Sequence, residues 1–183
     1  VNNGTLALDA NEVTGIITGT GVITMADDYT VAANITTATL TFADGKTLLV
    51  GGNTITGDIT NNGTVTLATG GDITGTTTMA LSTDVLNLHD TAIGIVAGSG
   101  TINSAQDLTT GATITGTNLN VTDNILTLGA NVTATTTTIT AGATLDAATG
   151  DDVIDGAVVN NGTLALDANE VTGIITGTGV ITM

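Results

Sequence analysis

The chain has 183 residues, a formal net charge of −16 and a mean hydropathy of +0.43, with no Pro or Cys and a single residue each of Lys, His, Tyr and Phe. One cation on so acidic a chain excludes attraction to a phosphate backbone, so no nucleic acid is expected as a partner. The near absence of aromatic residues excludes a core anchored on rings and the aromatic girdles of an outer-membrane barrel, and apolar runs such as 92–97 are far too short for a membrane span.

About a quarter of the residues are Thr, and Thr, Val and Ile carry branched Cβ atoms that favour strands over helices. The 25 Gly, with many Asn and Asp, supply tight corners. The composition therefore predicts many short strands joined by turns and no long helix.

Along the chain, the first 25 residues, VNNGTLALDANEVTGIITGTGVITM, recur unchanged at 159–183. An identical repeat of that length defines a unit of 158 residues, the offset between the two copies. The chain is expected to hold one complete β-solenoid unit, 1–158, and the start of the next, 159–183, continuous with the first. The simplest reading is a window on a longer array.

A looser repeat lies inside the unit. VTGIITGTGVITM (13–25), ITGDITNNGTVTL (55–67) and IDGAVVNNGTLAL (154–166) place apolar residues at matching offsets. These are Val13, Ile17, Ile23 and Met25, then Ile55, Ile59, Val65 and Leu67, then Ile154, Val158, Leu164 and Leu166. Copies beginning at Ile35, Ile73 and Val132 fit with three residues inserted, one at Ile114 fits with two, and one at Ala92 runs through Val96 and Ile102 before departing at Ser104. A last copy begins at Val171. The starts lie 17 to 22 residues apart, about eight rungs to the unit.

Even offsets within each half rung put the apolar residues on one side of a strand and Thr, Asn and Asp on the other. One coil cannot bury that side, but stacked coils bury it against one another. The expected fold is an all-β solenoid with Val13, Ile17, Ile23, Ile55, Ile59, Val65, Leu67, Ile154, Val158, Leu164 and Leu166 in the core stack. An outward Thr column is also expected, at Thr14, Thr36, Thr56, Thr74, Thr115, Thr133 and Thr172, interrupted by Ile93 and Asp155.

The motifs ITNNGTVTL and VNNGTLAL, Asn-Gly corners between short Thr/Val/Leu strands, resemble the passenger repeats of bacterial autotransporters and filamentous-haemagglutinin-like adhesins. The resemblance implies a right-handed parallel β-helix on a bacterial cell surface or in an extracellular filament. It further implies a structural or stalk role, with self-association end to end and contacts to neighbouring fibres or a cell surface. A rod face that binds a surface, a glycan or ice is the alternative function.

Catalysis on such a coil needs carboxylates clustered with basic groups in a groove, and the pairs Asp27-Asp28 and Asp151-Asp152 offer no such cluster in sequence. No enzymatic activity and no catalytic residue are expected. No cofactor is expected either, a calcium ion at TGDDVIDG (149–156) being the one the pattern admits, with Asp151, Asp152 and Asp155 as its oxygens. Asn-x-Thr sequons at Asn3, Asn34, Asn62, Asn120, Asn131 and Asn161 are glycan acceptors in pattern if the protein is secreted, and are read first as turn formers. His89 has no second His or Cys to form a metal site and is read as a surface turn residue.

Overall fold

The computed structural model describes residues 1–9, 14–89, 94–147, 151–167 and 171–183, and among them the chain is all strand and turn with no helix. Among the described residues the alternation of inward aliphatic and outward polar residues produces 21 short strands, the longest of eight residues, such as Ile35–Phe42 and Val132–Ile139. Every described ladder is parallel, and the strands stack into a β-solenoid of about nine turns.

Each turn has three faces, defined by three columns of paired inward residues. On the first face Leu6, Ile23, Leu40, Ile59, Thr77, Val96, Ile114, Val132, Ile154 and Val171 stack in unbroken succession. The second face carries Tyr29, Leu48, Val65, Leu86, Ile102, Leu119, Thr137, Val158 and Ile175. The third begins with Ile17, Ile35, Ile55 and Ile73 and resumes with Leu108, Leu126, Leu145, Leu164 and Ile181.

These columns are the core. Ile23, Ile55, Val65, Ile154, Val158 and Leu164 are completely buried, Ile17, Ile59, Leu67 and Leu166 nearly so, and Val13 lies outside the described residues. Each such side chain contributes about 1.5–3 kcal/mol relative to an exposed one. Tyr29 and Phe42, the two aromatic residues, are buried in the early turns. The last turn shows what stacking supplies: Ile181 is 44% exposed, whereas Leu164, one turn inside the same column, is fully buried.

Long strands bend where they pass from one face to the next. Gly57 sits between Ile55 and Ile59 with φ 140°, and a Cβ there would lie 2.1 Å from the Thr37 carbonyl oxygen of the preceding turn. Gly156 does the same between Ile154 and Val158, where φ is 121° and the carbonyl oxygen of Ala134 is 1.7 Å from the Cβ position. Only Gly lets the backbones approach this closely. In the copies at Ile35 and Val132 the same bend is made by an irregular register after Thr36 and Thr133, which turns Leu40 and Thr137 inward.

The rungs are less uniform than the aligned copies imply. The strands Tyr29–Val31 and Leu108–Thr110 are extra, each filling one face without belonging to a repeated rung. Ile23 and Met25 therefore pair with Leu40 and Phe42, not with Leu48 and Val50 as the rung alignment places them. The same insertions split the expected Thr column. Thr36, Thr56 and Thr74 follow the third face, whereas Thr115, Thr133, Asp155 and Thr172 follow the first; Ile93 lies outside the described residues.

Ile59 is buried in the first-face column and its neighbour Thr60 faces outward, paired with Thr41. Ile59→Asp, which buries a charge with no partner, is expected to cost about 4 kcal/mol or more, and Thr60→Asp to stay within about 0.5 kcal/mol. Denaturation midpoints of the two variants check this, and equal losses would show the register to be wrong.

Candidate functional surface

The NNGT corners are the most regular polar feature of the coil. Asn61 turns inward, completely buried; its Oδ1 accepts the Gly63 N–H at 2.9 Å and its Nδ2 donates to the Val85 carbonyl of the next turn at 3.0 Å. Asn160 repeats this with the Gly162 N–H at 3.1 Å and the Val180 carbonyl at 2.9 Å, and Asn2 with Gly4 and Val22. At the corner the amide oxygen accepts a Gly N–H that turns inward, and the amide nitrogen adds a second donor to a ladder carbonyl one turn on. The second Asn faces out, and the Asn62 Nδ2 donates back to the Phe42 carbonyl at 2.9 Å.

The acidic residues are used in a related way. The carboxylate or amide oxygen of the residue just before an inward position accepts the backbone N–H of its counterpart one turn on. Asp28 binds Thr47, Asp58 binds Thr76 and Asp107 binds Ile125, at 2.8 to 3.0 Å, and Asn34 and Asn131 do the same for Thr54 and Val153. Asp84, almost fully buried, accepts the Leu81 N–H at 2.7 Å through Oδ2, while its Oδ1 has no protein hydrogen bond. These carboxylates hold the coil together by charge-assisted hydrogen bonds to amides, the stronger class of such bonds.

The single Lys is spent similarly. Lys46 Nζ lies 2.8 Å from Asp27 Oδ1 with both side chains more than a third exposed. Its hydrogen bond, aided by its charge, holds the Asp27 carboxyl below the ordinary range, and Asp27 in turn raises the Lys46 ammonium. The pair's stabilising effect is present above the unfolded carboxylate pKa and below the unfolded ammonium pKa, and it fades as pH leaves that window at either end. The acidic pair Asp27-Asp28 is thus divided between an ammonium and a backbone amide.

Outward columns cover the faces. On the second face Asn120 Nδ2 donates to Asn103 Oδ1 and Asn103 Nδ2 to Asn87 Oδ1, both at 2.9 Å, and Asn87 Nδ2 reaches Thr66 Oγ1 at 3.0 Å. This ladder continues on either side with Thr66 and Thr138. On the first face Thr24, Thr41, Thr60 and Thr78 stand in a row and Thr115 and Thr133 extend it beyond Ala97. Over these stretches both columns are uncharged and made almost wholly of Thr and Asn.

The expected calcium oxygens are placed apart in role. Asp155 accepts a hydrogen bond from Thr172 Oγ1 at 2.6 Å, Asp151 is exposed and Asp152 half-buried, and Thr149 and Gly150 lie outside the described residues. Among the described residues no group of three or more His, Asp or Glu side chains is arranged to hold a metal ion. His89 is half-buried at a strand end. Of the sequon asparagines, Asn34, Asn62, Asn120 and Asn131 have their side chains engaged as described above, and Asn161 Oδ1 accepts the Thr178 N–H at 3.4 Å. What the alignment of rungs could not find was the inward Asn of NNGT. Its only signal was a polar residue two positions after an inward apolar one, at Asn61 and Asn160.

These features define a repeat-built parallel β-solenoid whose polar side chains serve mainly its own backbone. No family model matches the chain, and no curated protein and no solved structure matches it either. Among the described residues no helix is long and apolar enough to cross a membrane.

Two outcomes test this surface. Asn61→Ala leaves the Gly63 N–H without its acceptor in the interior and takes a second donor from the Val85 carbonyl, and is expected to cost about 1–3 kcal/mol, against a few tenths of a kcal/mol (about 0.5 at most) for Asn62→Ala. Chemical denaturation, with hydrogen exchange at Gly63, reads the difference. Removal of calcium by a chelator is expected to leave the strand circular dichroism and the melting temperature unchanged, because the coil is held by apolar stacking and its backbone ladders; collapse of the strand signal would reassign Asp151, Asp152 and Asp155 as ligands.

Proposed function

We propose that the chain is a structural segment of an extracellular β-solenoid fibre or adhesin stalk on a bacterial surface, without catalytic activity. The observation that carries this reading is the junction between units. Val158 ends one unit and Val159 begins the next inside a single strand, Ile154–Asn160, so the coil passes from unit to unit with no cap, loop or linker. An array of such units would set length while keeping one continuous core. Asp28, Asp58, Asp84 and Asp107 are bound to backbone amides, a use of carboxylates in holding the coil that is in keeping with a structural role.

A second reading is a binding rod. It is favoured by the outward Asn and Thr columns, which give flat, regularly spaced donors and acceptors suited to a glycan or an ordered surface. Binding of glycans or of ice by the isolated chain at micromolar concentration would move the weight to that reading.

The partner in the leading reading is the chain itself. Val180 and Ile181 lie one turn beyond the buried Leu164 and would be covered only by a further turn of coil stacked on Val180–Thr182, which a second copy of the chain would supply. The 183-residue chain is expected to associate end to end into filaments one coil wide, seen by electron microscopy and sedimentation. A strictly monomeric rod whose first and last turns are fully protected from hydrogen exchange would count against it.

A further inference from the structure

The described residues of the 25-residue sequence found at both 1–25 and 159–183 pair the same way twice, on different faces. In the first copy Leu6 and Ile23 stack on the first face and Ile17 on the third. In the second copy the equivalent Leu164 and Ile181 stack on the third face and Ile175 on the second. Local geometry is conserved: Leu6 pairs with Ile23 as Leu164 does with Ile181, and the Asn2 to Val22 hydrogen bond of 3.0 Å becomes Asn160 to Val180 at 2.9 Å.

The displacement follows from counting. Eight steps down the first face lead from Leu6 to Ile154; Val158 on the second face and Leu164 on the third then add one third of a turn each. One unit is therefore eight and two-thirds turns. Its origin is in the two extra strands, Tyr29–Val31 and Leu108–Thr110, each of which advances the chain by one face beyond the eight repeated rungs.

We infer that the unit is a three-way screw: in an array, successive identical units present the same surface on three faces in turn and return to the first after three units. The inference rests on the tandem-array reading above. At ~4.8 Å per turn one unit rises about 42 Å and the full cycle about 125 Å. A feature carried once per unit, such as the Asn87–Asn103–Asn120 ladder, then looks out from every side of the fibre. Such a surface fits partners that surround the rod, namely neighbouring copies packed about it. It does not fit one-sided attachment to a flat surface such as ice, because two of every three units face away.

The absence of native Cys makes the turn count testable by disulfide capture in the full chain. Outward residues on adjacent turns fall within the Cα separation a disulfide spans. With the extra strands counted, Thr24 neighbours Thr41 and Asn103 neighbours Asn120. If each rung copy stacked directly on the next, Thr24 would neighbour Leu49 and Asn103 would neighbour Thr127. Cys pairs at 24/41 and 103/120 are expected to crosslink at least tenfold faster than pairs at 24/49 and 103/127. The pair 49/66, adjacent in both arrangements, is the control. The opposite order with a working control overturns the screw and leaves the array reading intact. Failure of 49/66 as well overturns the solenoid and both readings with it. In an array of three covalently joined 158-residue units, a gold label on Asn103→Cys of each unit should appear on three sides; labels on one side alone, with 103/120 still crosslinking, would overturn the inference at the level of the array.

Discussion

Parallel pairing in register is the constraint from which the rest of this structure follows. It sets each residue directly beneath its counterpart one turn away, so every column has to be compatible with itself. Aliphatic residues satisfy this inside, where Ile35, Ile55 and Ile73 or Leu126, Leu145 and Leu164 stack like on like. Thr and Asn satisfy it outside, because each is donor and acceptor at once and can bond its own kind, as Asn87, Asn103 and Asn120 do. Stacked carboxylates would repel, and the acids are accordingly scattered among columns of neutral residues, Asp155 lying between Thr133 and Thr172.

The same constraint explains where polar groups enter the interior. Corners break the ladder, and side chains of Asn and Asp take over the missing backbone bonds: Asn61 and Asn160 from within, Asp28, Asp58 and Asp107 from the rim. A few inward hydroxyls lack that compensation. Ser104 Oγ and Thr137 Oγ1 are buried without a hydrogen-bond partner, and both sit on the second face. They mark turns where the column is held by its neighbours Ile102 and Ile139 and by the backbone ladder more than by their own burial.

The charged groups are likewise drawn into the coil: the Lys46 ammonium is paired to Asp27, and the buried Asp84 accepts the Leu81 N–H across a turn. What the coil can vary cheaply is length and the angular placement of its surface. A strand of three residues such as Leu108–Thr110 adds one face without disturbing the core, and two such additions change which side of the rod an identical sequence occupies.

The amino-acid sequence by itself determined that this chain is a stacked coil of short strands, which residues line it and that it repeats. The reason is physical: alternation of period two and recurring Asn-Gly corners are local properties, written directly in residues such as Ile55, Ile59, Val65 and Leu67. Only the tertiary structure decided which turn each strand joins. Tyr29–Val31 and Leu108–Thr110 look like any other strand in sequence, and an aligned repeat absorbs them silently as loop length. Their effect appears when pairing puts Leu40, and not Leu48, beside Ile23. The inward turn of Asn61 was likewise decided by partners outside its own strand, the Gly63 N–H and the carbonyl of Val85, 24 residues further on.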